Sequence, residues 1–118
     1  MRAKLKRLYS PDVPNLETWS PCDGPFGFHL DAMIGPADSK GEESFGITVC
    51  TPEWFANELM RDQNIRSGIH TLFVANYDYR ALWNYIERAA QRSEGENWSE
   101  IGAKLSWLGN WEFADYTP

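Results

Sequence analysis

The segment from Phe26 to Met60 constrains the fold more than any other part of the chain. Apolar residues alternate with other residues over 26–34 and again over 45–49, which is the period of strands that bury one face. A Gly-Pro pair ends the first run, and residues 38–43 carry too little apolar surface to fold alone. The pattern predicts a β-hairpin with an exposed acidic tip.

Three capping residues predict where helices begin. Thr51 offers a hydroxyl to the first free amides of a helix, and the proline after it fits the first helical position. Asp78 can cap an amphipathic helix over residues 79–92. Asn97, with a glutamate three residues later, begins a third helix whose apolar face continues to Leu108.

Three further strands are predicted. Residues 2–9 alternate apolar with basic side chains, and over 111–114 the aromatic Trp111 and Phe113 alternate with Glu112 and Ala114. Over 69–75 three apolar residues are adjacent, which predicts a central strand covered on both faces. We therefore expect an α+β fold in a single domain over 1–118. Its order is β-β-β-α-β-α-α-β, with a mostly antiparallel sheet and the helices packed on one face.

Four segments resemble the immunity protein 8 family, which is found beside toxin genes in bacterial polymorphic and contact-dependent toxin systems. They are RAKLKRLYSPDV at the start, LDAMIGP and EESFGITVCTPEWF in the hairpin, and NWEFADY at the end. Together they span nearly the whole chain, and the matched positions are mostly structural apolar, aromatic and turn residues. The resemblance implies a small cytoplasmic α+β protein that binds and neutralises one cognate toxin and is not an enzyme.

The composition is typical of a soluble protein in a reducing compartment. The chain has 118 residues, 42% of them hydrophobic, which is enough for one core. It contains no apolar run of membrane-spanning length, and the basic start lacks the apolar stretch of a signal peptide. We expect a cytoplasmic protein in which Cys22 and Cys50 are reduced thiols.

Charge is distributed unevenly along the chain. The first nine residues contain four of the eleven basic residues and none of the seventeen acidic ones, so the rest of the chain is strongly acidic. An acidic surface repels nucleic acid and anionic membrane and attracts basic partners. The charge therefore favours a protein partner over nucleic acid or membrane, although ordinary solubility charge explains it equally well.

Residues that could carry catalysis are few. The two histidines and two cysteines lack metal-ligand spacing, so we expect neither a metal nor another cofactor. His29 and Asp31 lie two apart on one predicted strand face and could form a general-base pair. An exposed polar strand face is the alternative interpretation.

Candidate partner-binding residues come from acidic and aromatic positions. The hairpin tip supplies one acidic group, and the last quarter of the chain supplies a second. Trp107 falls off the apolar face of the third helix, so it is the best candidate for an exposed anchor. A second face of that helix packed inside the protein is the alternative interpretation. The full set is Asp38, Glu42 and Glu43 at the tip, then Glu94, Glu96, Glu112 and Asp115, with Trp107.

Three functions remain open at this stage. The first is an immunity protein that occludes the active cleft of a toxin or an adjacent surface. Nucleases with basic clefts are possible targets. The second is a small hydrolase that uses His29 and Asp31. The third is a non-enzymatic adaptor without a toxin partner. The sequence carries no signal for an oligomeric state.

Overall fold

The computed structural model describes residues 1–62 and 64–114, and its elements follow the predicted order. The strands of this part are β1 (Ala3–Tyr9), β2 (Gly27–Pro36), β3 (Glu43–Cys50), β4 (Thr71–Phe73) and β5 (Asn110–Trp111). The helices are α1 (Pro52–Arg61), α2 (Tyr79–Gln91) and α3 (Trp98–Lys104), and a 3-10 turn at Leu105–Trp107 follows α3. The α+β class is confirmed.

The strands form one sheet in the order β1-β2-β3-β4, with β5 also paired to β3. The pairs β1–β2, β2–β3 and β3–β5 are antiparallel, and only β3–β4 is parallel among the described strands. Since β2 occupies one side of β3, β4 and β5 share the other side. The sheet is therefore mostly antiparallel, as predicted.

The prediction of a central strand over residues 69–75 is wrong. The strand covers only Thr71–Phe73, and it lies at the end of the sheet. Val74 belongs to the connection that follows, and the Phe73 side chain is half exposed. Three adjacent apolar residues here reflect a short edge strand running into an apolar loop, so their adjacency did not mean burial on both faces.

The core lies between one face of the sheet and helices α2 and α3. Alternate side chains of the first three strands point to this face, and the helices bury the stripes that their sequences predict. Burial of each large aliphatic side chain contributes roughly 1.5–3 kcal/mol of hydrophobic stabilisation. The largest fully buried side chains include Leu5, Leu30, Ile34, Phe45, Ile47, Ile86, Ile101, Leu105 and Leu108.

Helix α1 lies at one end of the opposite, outer face of the sheet, so only α2 and α3 follow the prediction that the helices pack on one face. Phe28 is buried in the core, so Gly27 beside it faces outward, and a Cβ on Gly27 would lie 2.4 Å from the Trp54 ring. Phe55 makes an edge-to-face contact with Phe73, with ring centroids 5.4 Å apart. The close approach of α1 to β2 requires glycine at this position.

Local features of the connections also match the sequence. Thr51, Asp78 and Asn97 each accept a hydrogen bond from the backbone N–H three residues later, which confirms the three predicted caps. In the proline-rich crossing between β1 and β2, the Trp19 ring makes edge-to-face contacts with Phe28 and Tyr77. These contacts fix the crossing against the core.

Candidate functional site

The hairpin tip between β2 and β3 is tied to strand β1. Arg7 Nε lies 2.7 Å from Glu42 Oε1, and Lys6 Nζ donates to the Ser39 carbonyl. Asp38 is exposed, and its side chain has no hydrogen bond or ion pair within residues 1–62 and 64–114. Basic side chains of β1 therefore offset part of the acidic charge of the tip, and Asp38 is its most available carboxylate.

Glu43 has a different environment from Glu42, although the two are adjacent. The side chain of Glu43 points toward the helices, where its Oε1 accepts hydrogen bonds from Trp98 Nε1 and Trp111 Nε1, both at 2.7 Å. It is half-buried. This carboxylate joins β3, α3 and β5, so its first role is to hold the fold together.

The structure brings Glu94 to the same end of the sheet as the hairpin tip. Arg2 links them, because its carbonyl accepts from Ala37 N at 2.9 Å and its Nε lies 3.1 Å from Glu94 Oε1. Glu94 and Glu96 are both exposed. The two groups predicted separately thus share a surface around the start of β1.

The remaining acidic candidates are near the end of the chain. Glu112 is exposed, and its Oε1 accepts from Ser44 N at 2.7 Å while its own N–H donates to the Ser44 carbonyl at 3.1 Å. It therefore extends the pairing of β5 with β3. Asp115 lies outside the described residues, so its role stays a prediction.

Trp107 is 53% exposed, as an anchor residue must be. It ends the 3-10 turn, and the carbonyl of Ser106 before it accepts from His70 Nε2 at 2.6 Å. Since His70 immediately precedes β4, this contact places the turn that carries Trp107 beside the start of β4. Whether Trp107 contacts a partner remains a prediction.

Sequence reasoning missed a groove between β4 and α2. It has a volume of about 570 Å³ and is lined mainly by apolar residues, among them Leu72, Phe73, Ala81 and Tyr85. Its volume falls within the range of sites that accept ligands. The helical pattern gave no signal for it, because Tyr85 lies three residues from Leu82 and four from Ala89 and so shares the spacing of the buried stripe of α2.

The His29 and Asp31 pair predicted on one strand face is present. His29 Nε2 lies 3.1 Å from Asp31 Oδ1, and Ser44 Oγ donates to the same oxygen at 2.9 Å. The carboxylate is therefore between the imidazole and the hydroxyl. A nucleophilic serine needs the base itself within hydrogen-bond reach, and in the part that the structure describes no hydrogen bond joins Ser44 to His29.

Comparison of the sequence with known proteins points to one family. The family model described as immunity protein 8 matches residues 3–116. The chain belongs to the immunity protein 8 family. No curated protein and no solved structure matches it.

Membership in the immunity protein 8 family implies an immunity protein that acts against a toxin, so the partner is a cognate toxin protein. It also supports a non-enzymatic role. Of the helices in residues 1–62 and 64–114, none combines the length and apolar character needed to cross a membrane. The features that matter for this family member are thus its exposed surfaces. The candidates are the β4 side and the acidic end of the sheet, by which we mean the carboxylates around the start of β1: Asp38, Glu42, Glu94 and Glu96.

Proposed function

We propose that this immunity protein binds one cognate toxin domain and blocks its active cleft or a surface next to that cleft. The family match over residues 3–116 carries the proposal. The net charge of −6 supports a toxin with a basic cleft, such as a nuclease, because complementary charge speeds association and a bound acidic surface would exclude nucleic acid.

The exposed carboxylates at the acidic end of the sheet are the proposed first contacts. Asp38, Glu94 and Glu96 are exposed, which supports their assignment. Glu94 is paired with Arg2, and Glu42, Glu43 and Glu112 also hold partners within the chain, so we assign these four a smaller share of binding than Asp38 and Glu96. Asp115 and Trp107 complete the proposed contact set.

Co-expression with the toxin domain encoded by the neighbouring gene tests the function. Cell survival is scored first, and the purified pair is then run on size-exclusion chromatography. Rescue of growth together with a stoichiometric complex supports an immunity protein that acts by binding. Cell death and separate elution of the two proteins would refute this function for that toxin.

A charge reversal tests the acidic end. Asp38→Lys should slow association with the toxin by roughly threefold at low salt, with a smaller effect at high salt, because the encounter is steered by charge. Asp23→Lys is the matched control: Asp23 is also exposed and makes the same change in net charge. It precedes β2 whereas Asp38 follows it, and β2 is ten residues or about 33 Å long. Equal slowing by both variants would show that net charge alone matters.

A further inference from the structure

The two edge strands of the sheet, β1 and β4, differ in how well they are protected against pairing with another strand. Along β1 the edge carries Lys4 and Arg7, and its start is paired, since Arg2 bridges to Glu94 and Gly95 N donates to the Met1 carbonyl. Basic side chains and local pairing are ways in which proteins prevent unwanted strand pairing. Strand β4 has neither protection: its sequence is Thr-Leu-Phe, and no strand pairs with its far side within 1–62 and 64–114.

The backbone of β4 presents hydrogen-bonding groups on this far side. Thr48 N donates to the His70 carbonyl at 2.8 Å, and Val74 N donates to the Cys50 carbonyl at 2.9 Å. Successive residues of a strand direct their amide groups to opposite sides, so Leu72 also bonds to β3. Thr71 and Phe73 therefore direct two N–H and two C=O groups away from the sheet, toward solvent.

Apolar side chains surround these backbone groups. Ile69 and Phe73 are 64% and 51% exposed, and Tyr85 on α2 is 49% exposed. The groove of about 570 Å³ lies along all of β4. Water can form hydrogen bonds with these backbone groups, but its contact with the apolar lining of the groove is unfavourable. The combination matches what an added strand supplies: backbone groups for the edge and alternate apolar side chains for the groove.

We propose that an extended segment of the toxin adds to the sheet along β4 and places apolar side chains in the groove. This inference rests on the proposed function, because it specifies the part of the toxin that the immunity protein binds. Asp78 is the only charged residue among those that line the groove in the described chain. The segment should therefore be apolar on the side facing α2 and basic or neutral at the end near Asp78.

Charge favours the toxin over a second copy of this chain as the occupant. Each copy carries a net charge of −6, so pairing β4 with β4 would bring two like charges together across a three-residue strand. A basic partner gains from the same field.

Filling the groove is the first test. Ala81 is exposed on α2 and lines the groove, so Ala81→Phe should obstruct the incoming segment without entering the core. We expect the Kd for the toxin domain encoded by the neighbouring gene to rise by roughly tenfold or more, as measured by isothermal titration calorimetry. Asn84→Phe is the matched control, since Asn84 is exposed on the same helix but does not line the groove. Equal Kd values for the two variants would overturn the proposal.

A second pair of variants isolates the backbone. Phe73→Pro and Phe73→Val both remove the phenyl ring, but only proline also removes the outward N–H. The proline variant should bind roughly three- to tenfold more weakly than the valine variant, the change expected from one hydrogen bond. Thr71→Pro is unsuitable, because His70 before it has φ of 60°, which proline disfavours in its predecessor.

Hydrogen exchange of the unaltered protein gives a test free of folding defects. In the toxin complex the amide protons of Thr71 and Phe73 should exchange at least tenfold more slowly than in the free chain. Unchanged exchange in a complex that still forms would overturn the strand addition and leave the proposed function standing. Absence of any complex would overturn both. Slow exchange in the free chain together with dimer sedimentation would identify a second copy as the occupant.

Discussion

Removing the Glu43 carboxylate should destabilise the fold although the residue lies next to the exposed hairpin tip. One oxygen of Glu43 accepts the indole N–H groups of Trp98 and Trp111, each at 2.7 Å. Trp111 in turn stacks on Phe45 at 6.2 Å between ring centroids. In Glu43→Ala both indole donors lose their partner, and the link between β3, α3 and β5 is broken.

The size of the effect follows from the two hydrogen bonds. A hydrogen bond to a charged acceptor contributes roughly 1.5–3 kcal/mol, and the lower value applies here because the groups are only partly buried. We therefore expect Glu43→Ala to lower the free energy of unfolding by about 3 kcal/mol. Glu43→Gln keeps an acceptor oxygen and loses the charge, so it should cost about 1 kcal/mol. For a chain of this length, 3 kcal/mol corresponds to roughly 12 °C in Tm.

Urea unfolding followed by tryptophan fluorescence measures the change. Glu42→Ala is the matched control, because its partner Arg7 is 59% exposed in its side chain and a surface ion pair contributes at most about 1 kcal/mol. A double-mutant cycle of Glu43→Ala with Trp111→Phe, which removes the indole N–H and keeps an aromatic ring, should give a coupling energy of about 1 kcal/mol or more.

Two results would refute this reasoning. If Glu43→Ala costs no more than the Glu42→Ala control, the indole bonds do not stabilise the fold. If Glu43→Ala leaves stability unchanged and weakens toxin binding, the carboxylate acts as a rim contact, which is the role that its position in the sequence suggested.

Three further predictions concern single side chains. Trp107→Ala should change Tm by less than about 3 °C yet weaken toxin binding by roughly tenfold or more, since the side chain is exposed; a collapse in Tm would assign it to the core. Burial, and then Tyr79 and Asp78, raise the pKa of Tyr77 to about 12. The unfolded state therefore loses this proton first, so stability should fall as pH rises from about 10 toward 12, and urea midpoints of Tyr77→Phe should lack that part of the fall. His29→Ala should leave rescue of toxin-expressing cells intact, whereas loss of rescue without loss of folding would revive a chemical role for His29.

Local patterns predicted most of the fold because local forces determine those parts. Alternation located β1, β2 and β3, and the caps at Thr51, Asp78 and Asn97 located the helix starts. Each of these signals depends on residues within a few positions of one another. The burial of β4 depends instead on which strand lies beside it. Only the pairing with β3 places β4 at the edge of the sheet.

The surface could be predicted only where exposure follows from helical position. Trp107 lies off the apolar stripe of its helix, and it is indeed exposed. The groove beside β4 had no such signal, because no local pattern brings β4 and α2 together. The groove is formed by β4 and α2, which are connected by the loop at 74–78, so it exists only in the folded chain.

Glu42 and Glu43 show why acidic candidates cannot be ranked from sequence alone. They are neighbours of identical chemistry, yet strand alternation turns one toward Arg7 and the other toward two tryptophans more than fifty residues away. A carboxylate that already accepts two hydrogen bonds must give them up before it can bind a partner, at a cost comparable to what the partner supplies. Carboxylates without partners, such as Asp38, face no such cost. Binding by the toxin should therefore depend more on Asp38 than on Glu43, even though the sequence places both at the same tip.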